Sequence, residues 1–383
     1  MASVHAAFSG DSRWETTVVA LPWAAPAFTQ SSQNHQDNVF QFLQDQRIPH
    51  VRWDCFSLEA HAPDIVFIQD PYDVTRPPGW RVPDLIKAGH RLCYVPYAIE
   101  LGGTYEDVLF QFNLPLQQLA WAVFARSEAH RDLFGEHCLS GNRHVIATGH
   151  PKFDLFGHLE SVPPNPDLVA FAKGRPLVLW NPHFSVKLSK SRFGEAYSTF
   201  RYWRKFMLEE FQRRQDLAFV IRPHPLLFSN MERCGIMTRA EIEAFEATCE
   251  ASGNIRIDRS SAYHPVLAAA SAMVSDLSSV MIEFGISGRP VCYLHNPTGP
   301  MCHLEYELDF DYVRQHCTWA TTEGQISAFL DRVAAEPNAT SAARVAELGR
   351  RMGLRPDGIG HAIKIAIEER LASESEIERG ALN

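Results

Sequence analysis

The sequence lacks several features that would place the protein outside the cell, within a membrane or on nucleic acid. Its eight cysteines include no CxxC pair and several lie in apolar runs, so we expect buried thiols in a reducing compartment rather than disulfides. No apolar stretch reaches the roughly 18 residues of a membrane span, and the opening MASVHAAFSGDSRWE has no signal-peptide core. The net charge of −9 argues against a nucleic-acid partner, because phosphate contacts need a basic face. These absences predict a cytoplasmic protein, at most peripheral at the inner face of the membrane.

Several catalytic signatures are also missing. There is no GxxxxGK[ST] loop, no GxGxxG after an apolar strand and no GxSxG turn, which argues against P-loop, dinucleotide-binding and nucleophile-elbow chemistry. HExxH and Cys/His sets with zinc spacing are absent too, and the 17 histidines are dispersed. We therefore expect no protein-bound metal.

What the sequence does contain is an alternation of short apolar runs and amphipathic stretches. Continuous apolar strands separated by helices indicate parallel βαβ units. A length of 383 residues favours two domains. The predicted strands are residues 16–23, 64–70, 91–97, 121–127, 144–150, 176–183, 217–225, 254–258, 272–276 and 289–294.

A proline-rich break, SVPPNPDLVAFAKGRP, divides this alternation into two halves. We expect a Rossmann-like domain over residues 1–162, a linker over 163–176, a second Rossmann-like domain over 177–355 and a C-terminal helix or tail over 356–383. The two domains would face each other across a cleft, with the C-terminal helices packed outside. Ligands of such sheets bind beyond the carboxyl ends of the strands, so the candidate residues are sought there.

The most distinctive candidate site is AMVSDLSSVMIEFGISGRPVCYL. An apolar strand ends at Ser275 and Asp276, and Ser278 and Ser279 open a helix. Unpaired amide N–H groups at a helix start favour an anion such as phosphate, but the same residues also fit an ordinary N-cap. Glu283, one turn further on, fits either an acceptor for ribose hydroxyls or a solvated helix residue.

Two further candidates follow apolar strands in the second half. Arg222 and His224 lie in FVIRPHPLL, where arginine can fork onto phosphate and histidine can donate to it or act as an acid or base. A packed structural histidine fits that position as well. His183 lies in LVLWNPHFS and is followed by a loop with three cationic residues, Lys187, Lys190 and Arg192. This loop fits either a lid that closes on a diphosphate or an ordinary solvated loop. The basic and aromatic helix around residue 205 fits an anionic membrane surface or internal packing.

In the first half, the segment CYVPYAIELGG ends a predicted strand. Tyr97 and Glu100 would face the cleft from there, as would His150 from ATGHPKFD. The paired glycines 102–103 allow either a close approach of ligand to backbone or merely a tight turn.

These segments, in this order, resemble the CDP-glycerol glycerophosphotransferase family of teichoic-acid and capsule polymerases. The resemblance rests on WNPHFS (180–185), RPHP (222–225) and SDLSSVMIEFGISGRPV (275–291), with a weaker likeness in TGHPKFD (148–154). It implies the GT-B architecture of two Rossmann-like domains, with acceptor bound by the first and donor nucleotide mainly by the second.

The resemblance also implies a reaction. A CDP-linked donor would yield its alditol phosphate to a hydroxyl of a polyol, glycan or lipid-linked acceptor, and CMP would leave. Ser278, Ser279 and nearby amides would hold the diphosphate, together with Ser275 and Asp276. The residues that would contact the developing charge are Arg222, His224 and His183. The family implies no cofactor and no protein-bound metal.

One departure from the family affects the catalytic base. Its longer polymerases carry a Trp-His-Gly segment in the first domain, and that histidine is the family's expected base. This sequence has VPYAIELGG at the corresponding strand end, so we expect Glu100 to replace that histidine, with Tyr97 and His150 as further candidates.

Three other functions remain as alternatives to this transferase. One is a glycosyltransferase with a nucleotide-sugar donor, in which Glu283 would bind the ribose. The others are a nucleotide-sugar 2-epimerase and a catalytically silent subunit of a polymer-synthesis complex.

Overall fold

The computed structural model describes an α/β protein built on parallel sheets. The residues that it describes are 1–22, 24, 32–45, 47–103, 105–186, 197–260, 262–295, 306–307 and 310–381. The strands are β1 (Val19–Ala20), β2 (Val51–Arg52), β3 (Ile65–Ile68), β4 (Arg91–Tyr94), β5 (Gly102–Gly103), β6 (Ala122–Ala125), β7 (Val145–Ala147), β8 (Leu177–Asn181), β9 (Ala218–Ile221), β10 (Ile255–Ile257), β11 (Ala272–Ser275), β12 (Val291–Leu294), β13 (Tyr306–Glu307) and β14 (Thr318–Ala320). The helices are α1 (Ala2–Ser9), α2 (Ser32–Asp45), α3 (Leu58–His61), α4 (Val82–Lys87), α5 (Tyr105–Phe112), α6 (Pro115–Leu119), α7 (Glu128–His137), α8 (Phe153–Phe156), α9 (Pro166–Ala172), α10 (Phe200–Arg213), α11 (Leu227–Arg233), α12 (Arg239–Ala251), α13 (His264–Ala269), α14 (Ser279–Gly285), α15 (Phe310–His316), α16 (Glu323–Ala335), α17 (Ala342–Arg351) and α18 (Ile359–Ala381).

The chain divides into two compact units, and the first contains both ends of the chain. It comprises residues 1–98, 109–155 and 350–383. Its main sheet has the order β3-β4-β6-β7, with every pair parallel, and β1 pairs with β2 in a separate parallel ladder. All four residues of β6 are buried, which explains why this strand reads as one continuous apolar run in the sequence.

The first and last helices of the chain pack against each other within the first unit. A Cβ added at Gly360 would lie 2.4 Å from the backbone of Ser3, so the glycine permits this close crossing. Lys364 of α18 forms an ion pair with Asp11 at 2.5 Å. Arg13 and Lys364 hold the pKa of that carboxyl well below its usual range. The segment predicted from the sequence as a tail, 356–383, therefore completes the first unit.

A second close contact in this unit gives a stability prediction. Gly353 has a φ of +70°, and a Cβ there would lie 2.6 Å from both the carbonyl oxygen of Arg126 and the Cα of Gly149. We expect Gly353→Ala to lower the melting temperature by several degrees more than Gly141→Ala. Gly141 has a φ of +67° but no atom within 4 Å of the added Cβ, so it reports only the left-handed backbone cost of about 1–2 kcal/mol. Equal losses in the two variants would show that the contact at Gly353 relaxes freely.

The second unit is built on a six-stranded parallel sheet. It comprises residues 99–108 and 156–349, and its strand order is β10-β9-β8-β11-β12-β14. Counted from β8 along the main sheet, this is the order 3-2-1-4-5-6 of a Rossmann fold. The direction of winding reverses between β8 and β11, which pair through residues 178–181 and 272–275. A ligand site is therefore expected beyond the carboxyl ends of these two strands.

Aromatic packing holds the helix α10 on this sheet. Phe211 stacks on Phe219 of β9 with 3.8 Å between ring centroids, and Phe200 stacks on Trp180 of β8 at 5.2 Å. The internal-packing interpretation of the helix near residue 205 is thus confirmed for these aromatics, while Arg201 and Lys205 lie exposed. Among the described helices, none combines the length and apolar character needed to cross a bilayer.

The predicted linker contains a helix that the sequence analysis missed. The helix α9 begins at Pro166, a position where the N–H that proline lacks would be unpaired in any case. The side chain of Asn165 caps the helix by accepting from the N–H groups of Asp167 and Leu168. The segment lies within the second unit.

Candidate active site

The buried carboxylate of Asp276 organises the point where the second sheet reverses. Asp276 follows β11, and its Oδ2 accepts the N–H of His183, which follows β8, at 2.7 Å. Its Oδ1 accepts the hydroxyl of Thr199, a residue that is itself fully buried. Burial raises the pKa of Asp276 to about 7, although these hydrogen bonds lower it. The carboxylate thus ties the loop after β8 and the segment 197–199 to the end of β11.

The ring of His183 is fixed by the residue two positions further on. Its Nδ1 accepts the N–H of Ser185 at 3.1 Å and lies 2.8 Å from the Ser185 hydroxyl. Burial, and secondarily the neighbouring His224, lower the pKa of His183 to about 3. His183 is therefore uncharged at neutral pH.

His224 has a similar environment at the end of the adjacent strand. Its Nδ1 accepts the main-chain N–H of Leu226 at 3.2 Å, and the main-chain N–H of His224 donates to the carbonyl oxygen of Pro182 at 3.2 Å. Burial lowers its pKa to about 4. The ring of Phe184 lies 4.5 Å from the ring of His224 and 4.5 Å from that of His183. The structure therefore brings together the two histidines that the sequence placed after separate strands.

Arg222 is held by residues that the sequence analysis did not single out. Its Nη1 donates to the carboxylate of Asp258, and its Nη2 donates to the carbonyl oxygen of Ser260 at 2.8 Å. The guanidinium is 17% exposed, so the cation is fixed but reaches solvent. Asp258 follows β10, the strand beside β9. The available signal was an acidic residue at the end of the predicted strand 254–258, but only the strand order shows that it contacts Arg222.

The serines around the start of α14 have different surroundings. Ser278 is the N-cap, and its hydroxyl accepts the N–H of Val280 at 3.2 Å. Ser279 is the first helical residue and, like Ser278, is half-buried. Ser275 is fully buried, and its one hydroxyl hydrogen is shared between the carbonyl oxygens of Asn181 at 3.2 Å and Asp276 at 2.8 Å. The structure therefore uses the Ser275 hydroxyl within the protein and leaves Ser278 and Ser279 nearest to solvent.

Glu283 lies on α14 and is completely buried. Its Oε2 accepts the hydroxyl of Tyr263 at 2.8 Å. Burial, and then the charge of Glu283, raise the pKa of Tyr263 above its usual range. The expectation of a solvated helix residue is wrong here, because the helix packs this face inward.

The acceptor-side candidates are distributed over both units. Tyr97 belongs to the first unit and is 42% exposed. His150, in the same unit, is buried. Its Nδ1 accepts the N–H of Lys152 at 3.3 Å, so its Nε2–H donates to the carbonyl of Ala98 at 3.2 Å. Both ring nitrogens are thus used within the protein. Glu100 is buried and belongs to the second unit.

Two other expectations concern the loop cations and a metal. The loop residues lie outside the described residues; they are Lys187, Lys190 and Arg192. Within the described part of the chain, no three His, Cys, Asp or Glu side chains form a group that could hold a metal ion. The described cysteines are all free; Cys93, Cys138, Cys249 and Cys292 are buried as expected, whereas Cys55 is exposed.

The strand-end motifs of both sheets fall within one segment that matches a known family. The model of the family CDP-Glycerol:Poly(glycerophosphate) glycerophosphotransferase matches residues 117–297. The match spans slightly less than half of the chain. The resemblance inferred from the motifs is confirmed, because WNPHFS, RPHP, SDLSS and TGHPKFD all lie inside the glycerophosphotransferase match. Among curated proteins, none matches this sequence.

Solved structures confirm the fold class of this chain. The UDP-GlcNAc 2-epimerase of Neisseria meningitidis, bound to UDP-GlcNAc, is 15% identical with a TM-score of 0.57, and the match covers 97% of this chain and 96% of that one. The epimerase of Methanocaldococcus jannaschii, in complex with UDP-GlcNAc and UDP, is 12% identical with a TM-score of 0.57, covering 96% and 95%. The epimerase of Rickettsia bellii is 13% identical with a TM-score of 0.57, covering 98% and 94%. At these identities the likeness shows the GT-B fold alone.

Proposed function

We propose that the protein transfers glycerol phosphate, or a related alditol phosphate, from a CDP-linked donor to an acceptor hydroxyl. The acceptor oxygen would form a bond to the phosphorus that carries the alditol, the bond from that phosphorus to the bridging oxygen would break, and CMP would leave. The observation that carries the proposal is the position of the family's motifs. They lie at the carboxyl ends of β8, β9 and β11, where the strand order reverses.

The charges and donors at these strand ends suit phosphoryl transfer. Such a transfer depends mainly on positioning and on stabilising charge at the phosphate oxygens. Arg222 supplies a cation already held by Asp258 and Ser260. His183 and His224 supply uncharged rings, and the start of α14 supplies amides. On this proposal the donor binds without a cofactor or protein-bound metal.

On the acceptor side, the proposal concerns the catalytic base and the acceptor itself. We infer that Glu100, a buried carboxylate, is the base, because His150 uses both ring nitrogens within the protein. The acceptor is proposed to be a polyol, glycan or lipid-linked chain in teichoic-acid or capsule synthesis. Contact with an anionic membrane surface, through the exposed Arg201 and Lys205 of α10, would fit a lipid-linked acceptor.

The proposal is tested by nucleotide-dependent melting followed by turnover. We expect CDP-glycerol, CDP-ribitol and CMP to raise the melting temperature, and UDP- and GDP-sugars to have no effect. At 100 times its dissociation constant a ligand adds about 2.7 kcal/mol of stability, which corresponds to a shift of several degrees. Release of CMP from CDP-glycerol in the presence of a polyol-phosphate acceptor then measures transfer.

The alternatives give different results in the same experiment. A nucleotide-sugar glycosyltransferase or epimerase, in which the buried Glu283 lies near a ribose, would respond to UDP- or GDP-sugars only. The solved structures bound to UDP-GlcNAc make that the second candidate. A protein that responds to no nucleotide would be a silent subunit, and the donor site proposed above would be wrong.

A further inference from the structure

The hydroxyl of Ser185 occupies a position from which it can set the proton of a neighbouring histidine. We propose that Ser185 is a positioning residue that fixes the proton of His183 on Nε2, and that His183 and His224 are a matched pair of uncharged N–H donors to phosphate oxygens of the donor. The inference rests on the proposed function for the identity of the anion. The protonation pattern itself follows from hydrogen bonds within the protein.

The first step is the direction of the hydrogen bonds at Nδ1. Main-chain N–H groups can only donate, and Nδ1 of His183 and of His224 each accept one, from Ser185 at 3.1 Å and from Leu226 at 3.2 Å. Each Nδ1 therefore carries a lone pair. A neutral imidazole with a lone pair on Nδ1 has its proton on Nε2.

The second step is the orientation of the Ser185 hydroxyl. Its Oγ accepts the N–H of Tyr197 at 3.1 Å and lies 2.8 Å from Nδ1 of His183. Since Nδ1 already acts as an acceptor, the hydroxyl hydrogen of Ser185 must point toward it. His183 thus receives two donors on Nδ1, and the alternative tautomer would set an N–H against both of them.

The third step concerns what the opposite ring nitrogens can do. The two ring centroids lie 6.3 Å apart, with Phe184 in contact with both rings. Within the described residues, neither Nε2 has a hydrogen-bond partner. The lowered pKa values, about 3 for His183 and about 4 for His224, agree with uncharged rings. Neither histidine can then act as a base through Nε2, because that nitrogen already carries the proton.

Nitrogen NMR of the histidine rings tests the tautomers directly. We expect both rings, in the ligand-free protein near neutral pH, to show a protonated Nε2 and an unprotonated Nδ1, with assignments from the loss of each signal in His183→Gln and His224→Gln. In Ser185→Ala, where only the main-chain N–H of residue 185 still donates to Nδ1, we expect the His183 Nδ1 signal to move toward that of His224, which has one such donor. In Ser185→Thr, which keeps the hydroxyl, the signal should return to its wild-type position. The His224 signals should stay unchanged in both variants. A protonated Nδ1 or a charged ring in the wild type would overturn the inference, as would a Ser185→Ala spectrum identical to that of the wild type.

Substitution by amides tests the donor role. The side-chain amide of Gln reaches the region of Nε2, whereas that of Asn reaches the region of Nδ1. We expect His183→Gln to raise KM for CDP-glycerol less than His183→Asn, with the difference about tenfold, as for one lost hydrogen bond. Equal losses in the two variants would contradict a donor at Nε2. If the wild type binds no cytidine nucleotide, the proposed function fails, while the NMR result still decides the tautomers.

Discussion

Replacing Arg222 with alanine is expected to lower kcat for transfer from a CDP-linked donor by about 10²–10³-fold, as for the loss of one preorganised charge-stabilising group. The reason is that Asp258 and Ser260 already fix the guanidinium, so it needs no reordering as charge develops on the phosphate. Steady-state release of CMP from CDP-glycerol measures the effect. The kcat of Arg222→Lys should lie between those of the wild type and Arg222→Ala, since an ammonium group keeps the charge but cannot make two parallel hydrogen bonds.

A neighbouring arginine provides the control. Arg259 pairs with Glu246 and is 54% exposed, so its loss removes a similar charge without removing a fixed strand-end donor. We expect Arg259→Ala to retain most of the activity. Because Arg222→Ala leaves Asp258 without its cation, the Arg222→Ala/Asp258→Ala double variant should recover melting temperature but not kcat. Equal kcat values for Arg222→Ala and Arg259→Ala would contradict a role for Arg222 in the reaction.

The parallel sheets could be predicted because their central strands are buried at every position. Every residue of β8, β9, β11 and β12 is buried, so each reads as an apolar run that is ended by a polar residue, namely Asn181, Arg222, Ser275 and His295. The short strands β2 and β14 lie outside every predicted strand, because two or three residues show no readable period of their own. The edge strand β14 was therefore missed, although it completes the Rossmann order.

The candidate site residues could be predicted only where they follow a strand closely in the chain. His183, Arg222 and His224 satisfy that condition. Asp258 was missed because its contact with Arg222 depends on β10 lying beside β9, which no local pattern reports. Ser185 was missed for a related reason, because nothing in the sequence shows that its hydroxyl lies against the ring of His183.

The same limit applies to the buried carboxyl groups. Asp276 and Glu283 were noticed from their spacing, but whether each faces a ligand or the protein depends on packing. Asp276 accepts hydrogen bonds from His183 and Thr199, residues that are 93 and 77 positions away in the chain. The protonation of Asp276 therefore depends on the folding of the second unit, and the pH dependence of stability tests it.

Asp276→Asn is expected to change the pH dependence of stability. Asp276 has a pKa of about 7 in the folded protein, raised by burial, against about 3.9 in an unfolded chain. The folded state therefore binds more protons between these values, and this group makes stability fall as pH rises from about 4 to about 7. Asparagine resembles the protonated acid in shape and has no charge to bury. Near pH 4 the variant should melt close to the wild type. Above about pH 7 it should melt several degrees higher than the wild type, since each unit of pKa difference corresponds to about 1.4 kcal/mol.

Asp11→Asn is the matched control, because the pKa of Asp11 is shifted in the opposite direction. Arg13 and Lys364 lower that pKa, so the Asp11 carboxylate stabilises the protein above its unfolded pKa, and the variant should melt below the wild type by a constant amount across the same range. Melting curves of the wild type and both variants at a series of pH values separate the two patterns. If the Asp276→Asn difference is also constant with pH, Asp276 is ionised throughout. Its hydrogen bonds from His183 and Thr199 would then outweigh the effect of burial on its pKa. Asp276 would carry a full negative charge beside the proposed diphosphate. Arg222 would then have to offset the charge of Asp276 as well as that of the donor.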